Sequence, residues 1–252
     1  MAGVWTGNGS MVDLRHAVQA LPGRVQTHRG SESPILGLPP RYSDVLWAAA
    51  RQLDLERGQV LFNKGDVGDG CYRVERGILK VVVTSGTGEE RILALLGTGA
   101  IVGELAMLDG RPRSATVEAI KPSRVSFISR GSFQQVLADR DLVDGLLATL
   151  VSRLRKSDED AAAASFLSVR ARVVRALHQM AWKLGEKDPS SGMLVVEHDL
   201  RQTDIAALAG VSRESVTRVL ASLKKMGVVT LSSRSSYRID PDRIEREIRR
   251  GG

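Results

Sequence analysis

The hydrophobic and polar positions of this chain change period three times. Up to about residue 40 there is no period: "HRGSESPILGLPPRYSD" is rich in Gly, Ser and Pro, and only Val12–Leu21 is patterned for a short helix. Residues 1–40 therefore read as a flexible N-terminal extension, with Met11 an alternative start. Tyr42–Leu53 predicts an amphipathic helix, with Val45, Ala48, Ala49 and Leu53 at helical spacing. From Gly58 to Ser129 the period becomes two. "QVLFNKG", "CYRVERG", "ILKVVVTSGTG", "ERILALLGTG", "AIVGEL" and "SATVEAIKPSRVSFIS" are short β-branched runs cut by Gly or Gly-Asp about every 8–12 residues, as in a compact antiparallel roll or barrel. Gly65, Gly68, Gly77, Gly86, Gly88, Gly97 and Gly99 sit at the breaks, where a positive φ is cheap only for glycine.

The third period is helical. Over Ser132–Phe166, Val143, Leu147, Leu150, Leu154, Ser157, Ala161 and Ala164 step by four and three, the spacing of a heptad seam. Leu146 and Val151 lie off that seam, positioned to pack on the roll. Two stripes give the helix two partners, its own β domain and a second copy of itself; a single wide core stripe is the alternative. "VRARVVRALHQMAWKLG" is a further helix stopped by Gly185, "GMLVVEHDL" a short strand, and "TLSSRSSYRI" a small hairpin.

Composition narrows the classes. With 42% hydrophobic and 26% charged residues, the chain reads as a soluble globular protein, long enough for one large domain or two small ones. No apolar run approaches the roughly 18 residues of a membrane span, and the N-terminus lacks a secretory pattern, so the expectation is a cytoplasmic protein with no membrane partner. The single cysteine, Cys71, excludes an intramolecular disulfide and any four-cysteine cluster; it reads as a small buried residue rather than a redox sensor. His16, His28, His178 and His198 are too scattered to suggest a metal site. Net charge is +7, and from Arg201 onward eleven Lys/Arg face six Asp/Glu, which points to a polyanionic partner for the C-terminal region.

Two segments carry chemistry. In "TDIAALAGVSRESVTRVLASL" a helix with small Ala206 and Ala207 is followed by Gly210 at a turn and by Ser212 as N-cap of a second helix. That second helix presents Arg213, Glu214, Thr217 and Arg218 in its first two turns, opposite an apolar side of Ile205, Leu208, Val211, Val216 and Leu220. In a helix-turn-helix such a helix enters the major groove, where Arg forks onto guanine and Glu accepts from cytosine. An ordinary helical hairpin with a charged face is the alternative. In "IVGELAMLDGRPRSATVEA", Glu104 and Arg113 stand nine residues apart among glycines. A solvated surface ion pair would explain two such charges, but pairs of that kind contribute little.

Taken in order, "FNKGDVGDGCYRVERGILKV", "VGELAMLDGRPRSATVEA", "FLSVRARVVRAL" and "VSRESVTRVL" resemble the β-roll signature, phosphate-binding cassette, hinge and recognition helix of the Crp/Fnr superfamily of bacterial regulators, over about residues 42–240. The resemblance implies an α+β chain: an antiparallel cyclic-nucleotide-binding β-roll (41–135), a long dimerisation helix (136–166), a winged helix-turn-helix DNA-binding domain (167–241) and a C-terminal tail (242–252). It implies that backbone N–H groups after Gly103 face a cyclic phosphate, that Arg113 and Ser114 bind the phosphate and that Glu104 accepts from the ribose 2′-hydroxyl. Gly103, Leu105 and Ala115 complete the cassette, and Val81, Leu93 and Ala94 match pocket positions around the base. Arg201 joins Ser212, Arg213, Glu214, Thr217 and Arg218 as the DNA-contacting set. The expected partners are a palindromic DNA with TGTGA-like half-sites, a second copy of the chain, and RNA polymerase.

The chain departs from the family where two hydroxyls on the long helix read adenine. Ser157 keeps a hydroxyl, but Asp158 is acceptor-only when ionised. A carboxylate there accepts from the adenine amine, which suits cAMP, and equally from the N1–H and N2–H₂ of guanine, which suits cGMP; a solvated Asp158 is the third possibility. An iron–sulfur branch is excluded by the lone cysteine, and a haem branch by the absence of His and Cys from 101–119. No Walker loop, Gly-x-Ser-x-Gly or HExxH is present, and about 85 residues after the long helix leave little room beyond the helix-turn-helix, so an enzyme is not expected. A family member that binds DNA without ligand is a further alternative, opposed by the intact Glu104 and Arg113.

Overall fold

The computed structural model describes residues 3–5, 11–13, 47, 50–137, 140–197, 201–233 and 236–251. They fall into two compact units, Met1–Leu79 with Leu96–Lys156, and Lys80–Leu95 with Ser157–Gly252.

In the first unit β1 (Gly3–Trp5) and β2 (Met11–Asp13) pair antiparallel, Val4 opposite Val12. Val12 was expected to open a helix. Cross-strand pairing of two β-branched residues outweighs a weak helical pattern there, and the rest of that expected helix lies outside the described residues, as does most of the N-terminal extension. The main sheet orders β3 (Arg51–Leu55), β10 (Ser123–Ser129), β5 (Gly70–Arg76) and β8 (Ile101–Val102), every pair antiparallel. Leu53, expected on a helix, stands in β3 opposite Val125, where the ladder with β10 satisfies its backbone; of the expected helix over 42–53, Trp47 alone is described as helical. Beside this sheet, β4 (Val60–Phe62) pairs with β9 (Thr116–Ala119).

Three helices follow in chain order: α1 (Glu104–Asp109), α2 (Arg130–Val136) and α3 (Arg140–Phe166). The single helix expected over 132–166 is thus two, because Phe133 and Leu137 are anchored against the core of the roll and hold α2 as a separate short helix. That core comprises Trp47, Cys71, Ile101, Ala106, Met107, Ile128 and Phe133, with Leu150 of α3 packed against it. Here the sequence reading is corrected. Leu150, placed in the seam, packs on the roll, while Val151, placed on the roll, is half exposed. One residue turns a helix by 100°, and the roll lies on the Leu150 side.

Four of the seven glycines named above, Gly65, Gly77, Gly88 and Gly99, do adopt positive φ; Gly68, Gly86 and Gly97 do not. Gly68 has a packing role instead: a Cβ there would lie 2.6 Å from Ala106 Cβ and 2.9 Å from Met107 Cε.

The second unit contains the hairpin of β6 (Leu79–Thr84) and β7 (Glu90–Leu96), reversed at a turn closed by Ser85 N–H donating to Glu89 O at 2.9 Å. α4 (Val169–Leu184) starts at Ser168, whose hydroxyl accepts from Ala171 N–H at 3.2 Å, and stops at Gly185. Its buried stripe, Val173, Val174, Leu177, Met180 and Ala181, is the centre of the unit's core. Around it lie α5 (Gln202–Ala209), α6 (Arg213–Lys225) and α7 (Pro241–Gly251). A sheet ordered β11 (Glu186–Lys187), β12 (Leu194–Val196), β14 (Ser236–Ile239) and β13 (Val229–Ser233) completes the winged arrangement. Residues 242–251, expected as a tail, belong to α7 and bury Ile244 and Glu247.

Candidate functional site

Arg113 is the hub of the first unit. It precedes β9, its N–H donating to Asp66 O and its carbonyl accepting from Gly65 N–H, both at 2.9 Å. Arg113 is 4% exposed. Nη1 donates to Gly103 O at 2.8 Å; Nη2 donates to Gly70 O at 2.8 Å and to Asp69 Oδ1 at 3.1 Å. Its carbon stands 4.3 Å from the Phe62 ring centroid and 5.9 Å from that of Tyr72, a cation–π arrangement in which both rings shield the charge from water. Among the described residues, Nε is buried without an acceptor. Buried donors are nearly always paired, so an orphan on a fixed guanidinium marks a place suited to an anionic acceptor.

Glu104 opens α1 and is 3% exposed. With both Glu104 and Arg113 buried, a solvated surface pair is excluded. Gly103, before α1, has φ 88° and ψ 3°, a left-handed conformation that glycine adopts without strain. A side chain there would also run into Arg113 Nη1, so the glycine first of all makes room for the arginine. Burial, and after it the Glu104 carboxylate, push the Cys71 thiol well above its ordinary value, which keeps it protonated and unreactive. Ser114 is exposed and Ala115 buried, and Leu105 is partly exposed on α1.

Sequence reasoning missed Arg130. Its Nη2 donates to Gly68 O at 3.0 Å and Ala106 O at 3.1 Å, and its N–H to Asp69 O at 2.8 Å. Arg113 and Arg130 thereby fix the two ends of the Gly68–Gly70 loop. No motif marked Arg130, because its role depends on carbonyls 24 and 62 residues away.

The other proposed nucleotide residues lie in the second unit. Val81 and Ala94 are half-buried and Leu93 is exposed, on β6 and β7; Ser157 and Asp158 are exposed on α3.

The helix-turn-helix is built as its sequence implies. Gly210 ends α5 at φ 62°, ψ 48°, and the Ser212 hydroxyl caps α6 by accepting from Ser215 N–H at 3.2 Å. Val216, Leu220 and Leu223 face inward, while Arg213, Glu214, Thr217 and Arg218 are exposed. Hydrogen bonds from its own backbone N–H and then from Ser212 hold the Glu214 carboxyl below the ordinary range, so it is an acceptor at neutral pH. The Thr217 hydroxyl donates to Gln202 Oε1 at 2.9 Å, tying α6 to α5. Arg201 is exposed just before α5, its N–H donating to Asp204 Oδ2 at 2.8 Å. Arg172 of α4 donates to Gly210 O at 3.0 Å and supports the turn from behind. Neither Gln202 nor Arg172 had been singled out from sequence.

A β domain with a buried arginine cradle and a winged helix-turn-helix define the class of cyclic-nucleotide-binding transcription regulators. Family models agree: residues 52–140 match the cyclic nucleotide-binding domain and residues 171–247 the Crp-like helix-turn-helix domain. The chain is 32% identical over 214 residues to the CRP-like cAMP-activated global transcriptional regulator of Mycobacterium tuberculosis, covering 84% of this chain and 95% of that protein. It is 34% identical over 201 residues, 79% of this chain and 89% of the other, to the cyclic AMP receptor protein of Thermus thermophilus. Among solved structures, FixK2 of Bradyrhizobium japonicum shares the fold with a TM-score of 0.67 at 20% identity, over 78% of this chain and 96% of that one. The chain belongs to the Crp/Fnr family of transcription regulators. Among the described residues no helix is long and apolar enough to cross a membrane.

Proposed function

We propose that the protein is a cAMP-responsive, sequence-specific DNA-binding regulator that acts as a homodimer. The carrying observation is the Arg113 cradle: a buried guanidinium fixed by Gly103 O, Gly70 O and Asp69, with Nε left without an acceptor among the described residues. A cyclic phosphate supplies such an acceptor, and Ser114 a neighbouring hydroxyl. Glu104 accepts from the ribose 2′-hydroxyl, while Val81, Leu93 and Ala94 contact the base. Ser157 and Asp158 of α3 read its edge. The names of the curated relatives favour cAMP. The Asp158 carboxylate, which matches the donors of guanine, keeps cGMP as a second reading.

On the DNA side, Arg213, Glu214 and Arg218, with Thr217, Ser212 and Arg201 beside them, read TGTGA-like half-sites arranged as an inverted repeat. The second copy packs along α3, where Leu147 and Leu154 are 53% and 63% exposed. This reading divides the chain at 41–135, 136–166 and 167–241, with RNA polymerase as a further partner and a cytoplasmic location. Titration calorimetry with cAMP and cGMP tests it: saturable binding of one in preference to the other is expected, and binding of neither overturns the ligand assignment.

A further inference from the structure

The C-terminal end of α6 is held by two guanidiniums that reach it from other helices. Arg170, in the first turn of α4, donates from Nη1 to Ser222 Oγ at 3.0 Å and from Nη2 to Met226 Sδ at 3.8 Å. Arg243, in the first turn of α7, donates from Nη1 to Met226 O at 2.9 Å. Ser222 lies in the last turn of α6, and Met226 follows as its C-cap. The last carbonyls of a helix carry partial negative charge and lack partners within it, so two cations are well placed there.

Each arginine is in turn fixed by a carboxylate of α7 or of the residue before it. Glu247, 9% exposed, accepts from Arg170 Nη2 at 2.5 Å and from Arg250 Nη1 at 3.0 Å. A carboxylate so far from water keeps its charge only with partners of this kind. Asp240 Oδ2 lies 3.2 Å from Arg243 Nε, and its Oδ1 accepts Arg243 N–H at 3.0 Å. Asp240 N–H donates to Val228 O at 3.0 Å, which ties the start of α7 to the chain leaving α6. The C-terminal helix therefore reaches α6 twice, directly through Arg243 and indirectly through Glu247 and Arg170.

Arg213, Glu214, Thr217 and Arg218 stand at the other end of α6. Thirteen residues make a helix about 20 Å long, so a tilt of about 5° about the held end carries Arg213 by about 2 Å. Good hydrogen-bond distances span only about 0.5 Å, so such a tilt would break contact with a base edge.

We propose that α7 belongs to the DNA reader: Glu247 and Arg243 are positioning residues that fix the far end of α6, and Arg170 carries the hold of Glu247 to Ser222. This role rests on the reading of bases by Arg213 and Arg218 given above.

The test uses the full chain, in cAMP and separately in cGMP, with DNA affinity read by fluorescence anisotropy. Discrimination is the ratio of affinities for a duplex selected by the wild type from a random pool and for the same duplex with one guanine of each half-site replaced. Glu247→Gln and Arg243→Gln are each expected to lower it about fivefold. A change of net charge acts on both duplexes alike and leaves the ratio untouched. Ser222→Ala is expected to lower it too, and to add nothing once Arg170 is Met, since both remove one contact. Asp188→Asn is the stability control, because its partners Ser190, Ser191 and Arg238 lie outside α6. It is expected to lower the melting temperature and leave discrimination unchanged. Unchanged discrimination in folded Glu247→Gln or Arg243→Gln protein, or an equal loss in Asp188→Asn, overturns the positioning role. Ser222→Ala, which leaves the buried carboxylate in place, decides the point should Glu247→Gln fail to fold. Discrimination that survives Arg218→Ala instead defeats base reading by α6, and the positioning role falls with it.

Discussion

Leu150 and Leu154 stand one turn apart on α3 and face different surroundings. Leu150 packs against the core that holds Phe133 and Cys71, whereas Leu154 is 63% exposed. Their similar heptad positions conceal different roles, and the consequences of replacing them separate accordingly. Leu147→Asp with Leu154→Asp is expected to give a folded monomer by light scattering. Leu150→Asp, which places a charge in the core, is expected to lower the melting temperature of the roll. A dimer that survives the first pair of changes would exclude α3 as its seam.

Arg113→Leu removes the phosphate partner and also takes the arginine donors away from Gly103 O and Gly70 O. Losing a bond to a charged group costs about 1.5–3 kcal/mol, so nucleotide affinity should drop by about tenfold to more than a hundredfold. A lower melting temperature should accompany it, because the arginine also secures the Gly68–Gly70 loop. Arg113→Lys keeps the charge but cannot reach several acceptors at once, and should fall between the two. Calorimetry and thermal melting on the same samples check both effects.

Asp158→Ala should change the ratio of cAMP to cGMP affinity. Its carboxylate is exposed on α3, available to a base edge. Equal affinities before and after the substitution, for both nucleotides, would make Asp158 a solvated helix residue.

Arg218→Ala should cost about 1–3 kcal/mol on the preferred duplex and relax one base pair of its sequence. Lys224→Ala or Lys225→Ala, if the replaced side chain touches a phosphate, should weaken all sequences alike and reduce the salt slope by about 0.9. Selection from random duplexes should return inverted repeats with guanine opposite Arg218.

The winged unit should lose stability in acid. Glu247 is buried, and the Arg170 guanidinium bonded to it holds its carboxyl below the ordinary value, with Arg250 adding to the effect. A carboxylate whose folded pKa is depressed contributes stability that is fully present above the unfolded value, about 4.3, and is lost as pH falls below it. The melting temperature should therefore fall as pH drops below about 5 toward 3, and fall less in Glu247→Gln. An equal acid loss in that variant would assign the effect to other groups, such as Asp188 beside Ser190, Ser191 and Arg238.

The order of elements was legible in the chain because its signals are local. Glycine-cut β-branched runs marked the strands, and Gly210 with Ser212 marked the helix-turn-helix, since a left-handed turn and an N-cap each depend on one or two residues. Glu104 and Arg113 were legible as a pair through the spacing of their motif. Which residues meet across the fold was decided only in three dimensions. Periodicity could not show which side of α3 the roll occupies, so Leu150 packs on the roll and Val151, expected there, is exposed. Leu53 followed the pairing demand of β10 rather than its helical spacing. Arg130 reached its carbonyls, and Lys80 its carboxylate at Asp204, across more than twenty residues of chain, where no local pattern records the partner. Local backbone preference is written residue by residue, whereas burial and charge pairing are properties of the assembled surface against which each side chain comes to rest.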